Sequence, residues 1–282
     1  MKRPRRKFLR LAAGAAALPA ASSVAWAQSY PSRPVRLIVG FAAGGTGDIT
    51  ARLIGQWLAE RLGQQFVIEN RPGAGTNIAT EAVVRATPDG YTLLMAGPSG
   101  AINATLYDKL NFNFIRDIAP VAGVVRQPSV IVVTPSVPAT TVPEFIAYAK
   151  ANPGKLSMAS GGIGSPGHVS GELFKMMTGV NMAHVPYRGG APALTDLLAG
   201  QVQVYFSPTP AAIEYIRAGK LRALAVTTAA RSEALPEIPT VGEFVPGYEA
   251  SSWKASARPR TRPPRSSRSS IRKLMRVLPI QR

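Results

Sequence analysis

The chain has 282 residues, a length that suits one large domain or two ordinary ones with a substantial core. Hydrophobic residues make up 46% of it and charged residues 17%, which excludes a disordered chain, and no apolar run is long enough to span a bilayer. There is no cysteine and there are two histidines, so disulfides, thiolate metal sites and cysteine nucleophiles are excluded and a histidine-rich metal site is not expected. We expect no metal and no cofactor.

The basic residues are concentrated at the two ends of the chain. Of the 33 Lys and Arg residues, 16 lie in residues 1–27 and 254–282, which contain no acid. The central body, residues 28–253, keeps 17 basic residues against 15 acidic ones, although the whole chain has a formal charge of +18. A nearly neutral body lacks the positive surface that binds a phosphate backbone, so we expect no nucleic-acid partner.

The first 27 residues have the pattern of an export signal. A basic segment is followed by an apolar run of small residues at 11–21 and by Ala25-Trp26-Ala27, which has the form of a signal-peptidase site. The pair Arg5-Arg6 resembles a twin-arginine motif, and an ordinary secretory signal is the alternative. Both predict a soluble periplasmic protein cleaved after Ala27, because no cysteine is available for a lipid anchor.

From residue 34 the chain alternates β-rich runs with helical spacing, as in parallel sheets covered by helices. The predicted strands are 35–40, 65–69, 92–96, 130–134, 156–160, 182–185, 202–206 and 221–227. The predicted helices are 48–62, 78–85, 142–151, 168–178, 191–199 and 211–218. The sequence therefore predicts an α/β fold.

Glycine and serine clusters follow several of the predicted strands. They are 41–48, 70–77, 97–99, 160–168, 187–190 and 207–209. Each cluster alone is more typical of a tight turn than of a site, and Thr46 could simply cap its helix. In open α/β sheets, however, ligands bind beyond the carboxyl ends of the strands. Clusters at strand ends in both halves of the chain therefore predict two lobes that face each other across a cleft.

The same clusters contain few of the groups that catalysis needs. Ser160 is not in a G-x-S-x-G elbow, and His184 lies within an apolar strand. Asp48 is the only acid in these loops, so paired-carboxylate chemistry lacks a partner. His168 opens a helix beside a glycine loop, where it contacts either ligand or solvent. A binding protein is favoured, with an exported hydrolase or isomerase as the alternative.

Seven short motifs follow one another along the chain: 34–41 (PVRLIVGF), 69–75 (ENRPGAG), 88–93 (PDGYTL), 184–189 (HVPYRG), 197–202 (LLAGQV), 219–225 (GKLRALA) and 239–243 (PTVGE). Together they resemble the Bug family, the periplasmic substrate-binding proteins associated with tripartite tricarboxylate transporters. The resemblance covers about residues 28–253. Ala43 is a departure, because the family often has proline there.

The resemblance implies a two-lobed Venus-flytrap fold of the type II kind, each lobe a mainly parallel sheet flanked by helices. It places crossovers near Val125 and Ala225, so that residues 28–124 and 226–253 form the first lobe and 125–225 the second. It also implies capture of a small carboxylated metabolite, an organic acid or an amino acid, by a monomer that delivers it to the membrane components of such a transporter. In the family, backbone groups and bridging waters hold most of the carboxylate.

The resemblance further assigns the residues that line the cleft. One wall would consist of Phe41, Ala43, Gly44, Gly45, Asp48, Gly73, Ala74, Gly75, Pro98 and Ser99. The other would consist of Ser160, Gly161, Gly164, Ser165, His168 and Tyr187. Asp48 could receive the ammonium group of an amino acid, although its position at a helix start explains it equally well.

The chain departs from the family pattern after Trp253. Residues 254–270 contain Arg, Pro and Ser in abundance and no acid, as in a GC-rich gene translated in a shifted frame. We interpret residues 254–282 as a frameshifted, disordered tail that leaves the first lobe incomplete. A genuine basic tail for nucleic acid or anionic lipid is the alternative.

Overall fold

The computed structural model describes residues 30–260. The predicted export signal at 1–27, and the part of the predicted tail beyond residue 260, lie outside the described residues. Within the described part, no helix is both long enough and apolar enough to cross a bilayer.

The first lobe is built on a five-stranded sheet with the strand order β2-β1-β3-β10-β4. The strands are β1 (Val35–Val39), β2 (Phe66–Asn70), β3 (Thr92–Ala96), β4 (Ile118–Gln127) and β10 (Ser252–Pro259). β1 pairs in parallel with β2 and β3, whereas β10 runs antiparallel to both of its neighbours, β3 and β4. The prediction of a mainly parallel sheet is confirmed, with one antiparallel strand.

Helices cover both faces of this sheet. They are α1 (Thr46–Leu62), α2 (Asn77–Val84), α3 (Pro98–Leu106) and the single turn α4 (Phe114–Asp117). Alternate residues of β1 point to opposite faces of the sheet. Leu37 packs in the hydrophobic cluster that contains Leu58 of α1, and Ile38 packs in the one that contains Val83 of α2. A strand that is buried on both faces needs a continuous apolar run, which residues 37–39 provide after the exposed Arg36.

The second lobe repeats the plan with the strand order β7-β6-β8-β5-β9. The strands are β5 (Ser129–Val133), β6 (Ser157–Ser160), β7 (Ala183–Pro186), β8 (Val204–Pro208) and β9 (Arg222–Val226). β5 is the antiparallel strand here. The helices are α5 (Val142–Ala151), α6 (Pro166–Thr178), α7 (Gly190–Leu198) and α8 (Thr209–Arg217).

The lobe boundaries differ from those predicted. β4 continues in the first sheet to Gln127, so the first crossover is at Pro128, close to the predicted position near Val125 but just beyond it. Residues 227–250 were expected in the first lobe, but their apolar side chains pack on the second: Val241, Val245 and Tyr248 lie in one cluster with Phe174. The Tyr248 hydroxyl also donates to the Ser170 carbonyl of α6 at 3.0 Å. The chain returns to the first lobe only at β10.

The prediction of a disordered chain from residue 254 is wrong for residues 254–259. They belong to β10, which pairs with β3 through Ala255, Ser256 and Ala257 and with β4 along its whole length. The reason lies in the tertiary structure. A strand inserted between two others forms backbone hydrogen bonds on both edges, and this pairing overrides a residue composition that is typical of a loop.

Candidate functional site

A cavity of about 70 Å³ lies between the two lobes, beyond the carboxyl ends of the parallel strands. The first lobe contributes Val39, Phe41, Gly45, Thr46, Gly47, Met95, Ala96, Gly97, Pro98 and Ser99. The second contributes Ser129, Gly161, Ser165, Pro166, Gly167, Gly190, Tyr205 and Pro208, and the start of β10 contributes Ser252, Trp253 and Lys254. The space suffices for several water molecules or a small ligand.

Five helices begin at this cavity. The residues at their amino ends are Gly45 of α1, Pro98 of α3, Ser165 of α6, Gly190 of α7 and Pro208 before α8. Among the five, only α6 has a side-chain cap, in which Ser165 accepts from the His168 N–H. The first N–H groups of a helix lack intrahelical partners and carry partial positive charge. The five amino ends together favour an anion in the cavity.

The lobes touch each other beside the cavity, so the cleft is closed. The Ala42 N–H of the first lobe donates to the Arg188 carbonyl of the second at 3.1 Å. A Cβ atom built on Gly75 would lie 2.6 Å from the Ile163 carbonyl oxygen across the cleft. Asn103 of α3, fully buried, faces Gly164 at the same contact. Glycines therefore allow the two backbones to approach this closely.

Ten of the sixteen predicted site residues line this cavity or a groove that continues it. The cavity contains Phe41, Gly45, Pro98, Ser99, Gly161 and Ser165. A groove between the lobes that shares Phe41 and Gly161 with the cavity contains Gly73, Ala74, Gly75 and Tyr187. Tyr187 is held in place because its hydroxyl donates to Asp196 at 2.6 Å. Burial is the main cause, and this hydrogen bond the second, that raises the pKa of Tyr187 to about 12.

The other six predicted residues lie around the cavity without lining it. Gly44 lines a second groove, Ala43 is exposed beside it, and Gly164 packs against Asn103. Ser160 and His168 are turned into the second lobe, and Asp48 into the first.

The carboxylate of Asp48 is engaged by its own lobe. The Gly44 N–H and the Arg52 Nε–H each donate to its Oδ2 at 3.0 Å, and Arg52 Nη2 lies 3.0 Å from its Oδ1. Burial raises the pKa of this carboxyl, but hydrogen bonds from Arg52, Gly44 and Asn70 outweigh burial and hold the pKa below its ordinary value. These contacts favour the structural role over the ammonium-binding one, because the charge is already paired.

We expect Asp48→Ala to lower the free energy of unfolding by about 1.5–3 kcal/mol, since it removes hydrogen bonds to a buried charge. Losses of affinity for malate and for aspartate should be equal, measured by calorimetric titration. A lowered carboxyl pKa contributes stability above the unfolded value of about 3.9 and loses it as the pH falls through the folded pKa. The two proteins should therefore become equally stable in acid. A selective loss for aspartate would show that Asp48 contacts the ammonium group.

Ser160 and His184 form a close pair that does not constitute a nucleophilic site. Ser160 Oγ lies 2.7 Å from His184 Nε2, but Ser160 is fully buried and its oxygen also accepts from the Gly162 N–H. The His184 ring stacks on His168 with centroids 4.1 Å apart. Desolvation, and then the neighbouring His168, lowers the pKa of His184 to about 4, so the ring is neutral near pH 7. No substrate can reach this hydroxyl, and the pair fixes the glycine loop at 161–164.

Sequence reasoning missed Tyr205, Trp253 and Lys254 as lining residues. Tyr205 lies within an apolar strand, where an aromatic residue predicts core, and burial raises its pKa above the ordinary range. Trp253 and Lys254 follow the last of the motifs that the sequence analysis recognised, so that no motif marked them. Within residues 30–260, no three His, Asp or Glu side chains come together as a set of metal ligands.

Comparison with known proteins gives one consistent family. The family described as "Tripartite tricarboxylate transporter family receptor" matches residues 50–277. The structure is similar to that of the periplasmic binding protein BugD, with a TM-score of 0.82 at 34% identity over 88% of this chain and 83% of that one.

Two similar structures contain ligands. Rpa4515 of R. palustris, solved with adipate, is 40% identical, with a TM-score of 0.80 over 88% of each chain. MatC of Rhodopseudomonas palustris, solved with bound malate, is 31% identical, with a TM-score of 0.82 over 89% of this chain and 86% of that one. Both ligands are dicarboxylates.

Proposed function

Because this chain belongs to the tripartite tricarboxylate transporter receptor family, we propose that it captures a small carboxylated metabolite between its lobes and delivers it to the membrane components of such a transporter. The observation that carries the proposal is the convergence of five helix amino ends on one closed cavity. Four of them lack a side-chain cap; Pro98 has no N–H and the Thr209 N–H donates to the Pro128 carbonyl, so the donors offered to a carboxylate are other first-turn N–H groups. The ligands of Rpa4515 and MatC support a dicarboxylate, and the sequence leaves an amino acid open.

The apolar part of the wall suits the carbon chain of such a metabolite. Val39, Phe41, Met95 and Pro98 lie on the first-lobe side of the cavity. A site that combines neutral N–H donors with apolar walls fixes the orientation of a ligand without several ion pairs. We expect such a site to release its ligand when the lobes separate.

Calorimetric titration with malate, succinate, adipate, glutamate and aspartate tests this function. We expect saturable one-to-one binding of at least one carboxylate, with the ligand recovered unchanged after incubation. The comparisons give no support to an exported hydrolase or isomerase, and formation of product in the same sample would favour that alternative. Absence of binding to all five would contradict the proposal.

We also propose that residues 1–27 export the chain to the periplasm, where it acts as a monomer. The apolar run at 11–21 and the Ala25-Trp26-Ala27 site support this proposal. Amino-terminal sequencing of the periplasmic protein should begin at Gln28. Replacing Arg5 and Arg6 by Lys should block export if the route is the twin-arginine one and leave it intact if the route is the general secretory one.

A further inference from the structure

Lys254 places the end of a basic side chain in the ligand cavity. The residue lies on β10, at the point where this strand passes from the connecting segment into the first sheet. Its end lies beside Gly47, in the first turn of α1: a Cβ atom at this glycine would lie 4.0 Å from Lys254 Cε, in ordinary van der Waals contact. The ammonium group is thereby brought to the amino end of α1, on the wall of the cavity.

The ammonium group of Lys254 has no counter-charge within the part of the chain that the structure describes. No carboxylate of residues 30–260 lies within 4.0 Å of it, and no acceptor there forms a hydrogen bond with it. Desolvation lowers its pKa to about 8. Lys254 is half-buried, and a partly desolvated cation is stabilised by a partner that replaces the hydration it has lost.

We propose that Lys254 is a ligand-binding residue whose ammonium group forms an ion pair with a carboxylate of the captured metabolite. This inference rests on the proposed function and gives the site one charged contact in addition to its backbone donors. It makes an anionic group a requirement for tight binding, so the neutral amide of the same metabolite binds poorly.

The electrostatics of the cavity wall support this assignment. The amino ends of α1, α3, α6, α7 and α8 surround the ammonium group with charge of its own sign. Among residues 30–260, Tyr205 is the only other titratable side chain on the cavity wall, and its raised pKa keeps it neutral. Asp48, in the first turn of α1, is paired with Arg52, and Arg126 of β4 lines the neighbouring groove. A bound carboxylate is therefore the group that relieves this accumulation of positive charge.

The decisive variant is Lys254→Met, which keeps an unbranched apolar side chain as far as the Cε position and removes the charged ammonium group. We expect it to weaken binding of the tightest dicarboxylate by about 10- to 150-fold, the range of a charge-assisted hydrogen bond. The matched control is Lys220→Met, which removes an exposed lysine after α8 and should change affinity less than about twofold. The unliganded Lys254→Met protein should melt at or above the wild-type temperature, because a half-buried charge without a counter-charge is lost. Equal affinity in wild type and Lys254→Met would overturn the inference and leave the proposed function intact.

Proton uptake gives a second, independent readout. With a pKa of about 8, about half of the Lys254 side chains are neutral at pH 8 in the free protein. A carboxylate stabilises the charged form, so binding should take up to about half a proton at pH 8 and almost none at pH 6. Titrations in buffers of different ionisation enthalpy measure this number. We expect the uptake at pH 8 to vanish in Lys254→Met; uptake that persists unchanged would contradict the inference.

If no dicarboxylate binds the wild-type protein, an experiment with acetate tests the contact between Lys254 and a carboxylate separately from the proposed function. Sodium acetate is titrated into protein with isotope-labelled lysine, and the pKa of Lys254 is followed by NMR. A rise in this pKa that is absent for Lys220 would support the carboxylate contact even though the proposed function has failed. An unchanged pKa would overturn the contact as well.

Discussion

Gly164→Ala is expected to weaken ligand binding by about 5- to 150-fold, because closing the cleft over an added methyl group carries an overpacking cost of about 1–3 kcal/mol. The new Cβ atom would overlap Oδ1 of Asn103 across the cleft. Asn103 cannot yield easily, since it is fully buried and its amide donates to the Gly75 carbonyl at 2.6 Å and to Asn77 Oδ1 at 2.9 Å. The added methyl group therefore destabilises the closed form by this overpacking cost and leaves the stability of the open form unchanged.

The control separates the overlap from backbone strain. Gly164 has φ +75°, a left-handed conformation in which any alanine is strained, and Gly154 in the same lobe has φ +73° with nothing within 4 Å of its Cβ position. Gly154→Ala should therefore lose similar stability and keep wild-type affinity. Small-angle scattering should show Gly164→Ala in an open form at ligand concentrations that close the wild type. Equal affinities for the two variants would mean that this contact does not limit closure.

Phe174→Ala should lower the free energy of unfolding by about 3–5 kcal/mol, the usual effect of deleting a fully buried aromatic ring. The ring is the centre of an aromatic cluster: its centroid lies 6.1 Å from that of Phe145, 5.7 Å from Phe206 and 6.2 Å from Tyr248. Such a loss is a large fraction of the stability of an ordinary domain, about 5–15 kcal/mol.

The same substitution tests the revised lobe boundary. Tyr248 belongs to residues 227–250, so loosening its aromatic partner should also expose that segment to limited proteolysis. Phe244→Ala is the control, because this ring is 40% exposed and its loss should change stability by about 0.5 kcal/mol. Urea unfolding measures both variants. A Phe174→Ala protein as stable as the control, with 227–250 still protected, would contradict the assignment of this segment to the second core.

The strands that the sequence revealed are those with continuous apolar runs, such as 92–96, whose observed bounds match the prediction. β4 and β10 were missed for a physical reason. β4 contains Pro120 and Gly123, and β10 contains Lys254 and Arg258, so neither has a strand-like composition. Their strand conformation comes from pairing between segments more than a hundred residues apart, which no local pattern encodes.

The location of the site was predictable for a different reason. Glycine clusters at strand ends mark it directly, because backbone approach to a ligand demands small residues wherever the strands end. Which side chains enter the cavity was not predictable to the same degree. Ser160 and His168 turn into their own lobe, while Lys254 enters from a distant strand, and both outcomes depend on tertiary packing.

The position of β10 has a consequence for the order in which the lobes are completed during synthesis. β4 pairs with β10, which ends at Pro259, whereas the second sheet has all its strands by Val226. At typical translation rates β4 waits on the order of ten seconds for its partner. The half of the molecule that is synthesised first is therefore finished last, and its unpaired strand edge is the surface most in need of a chaperone in the interval.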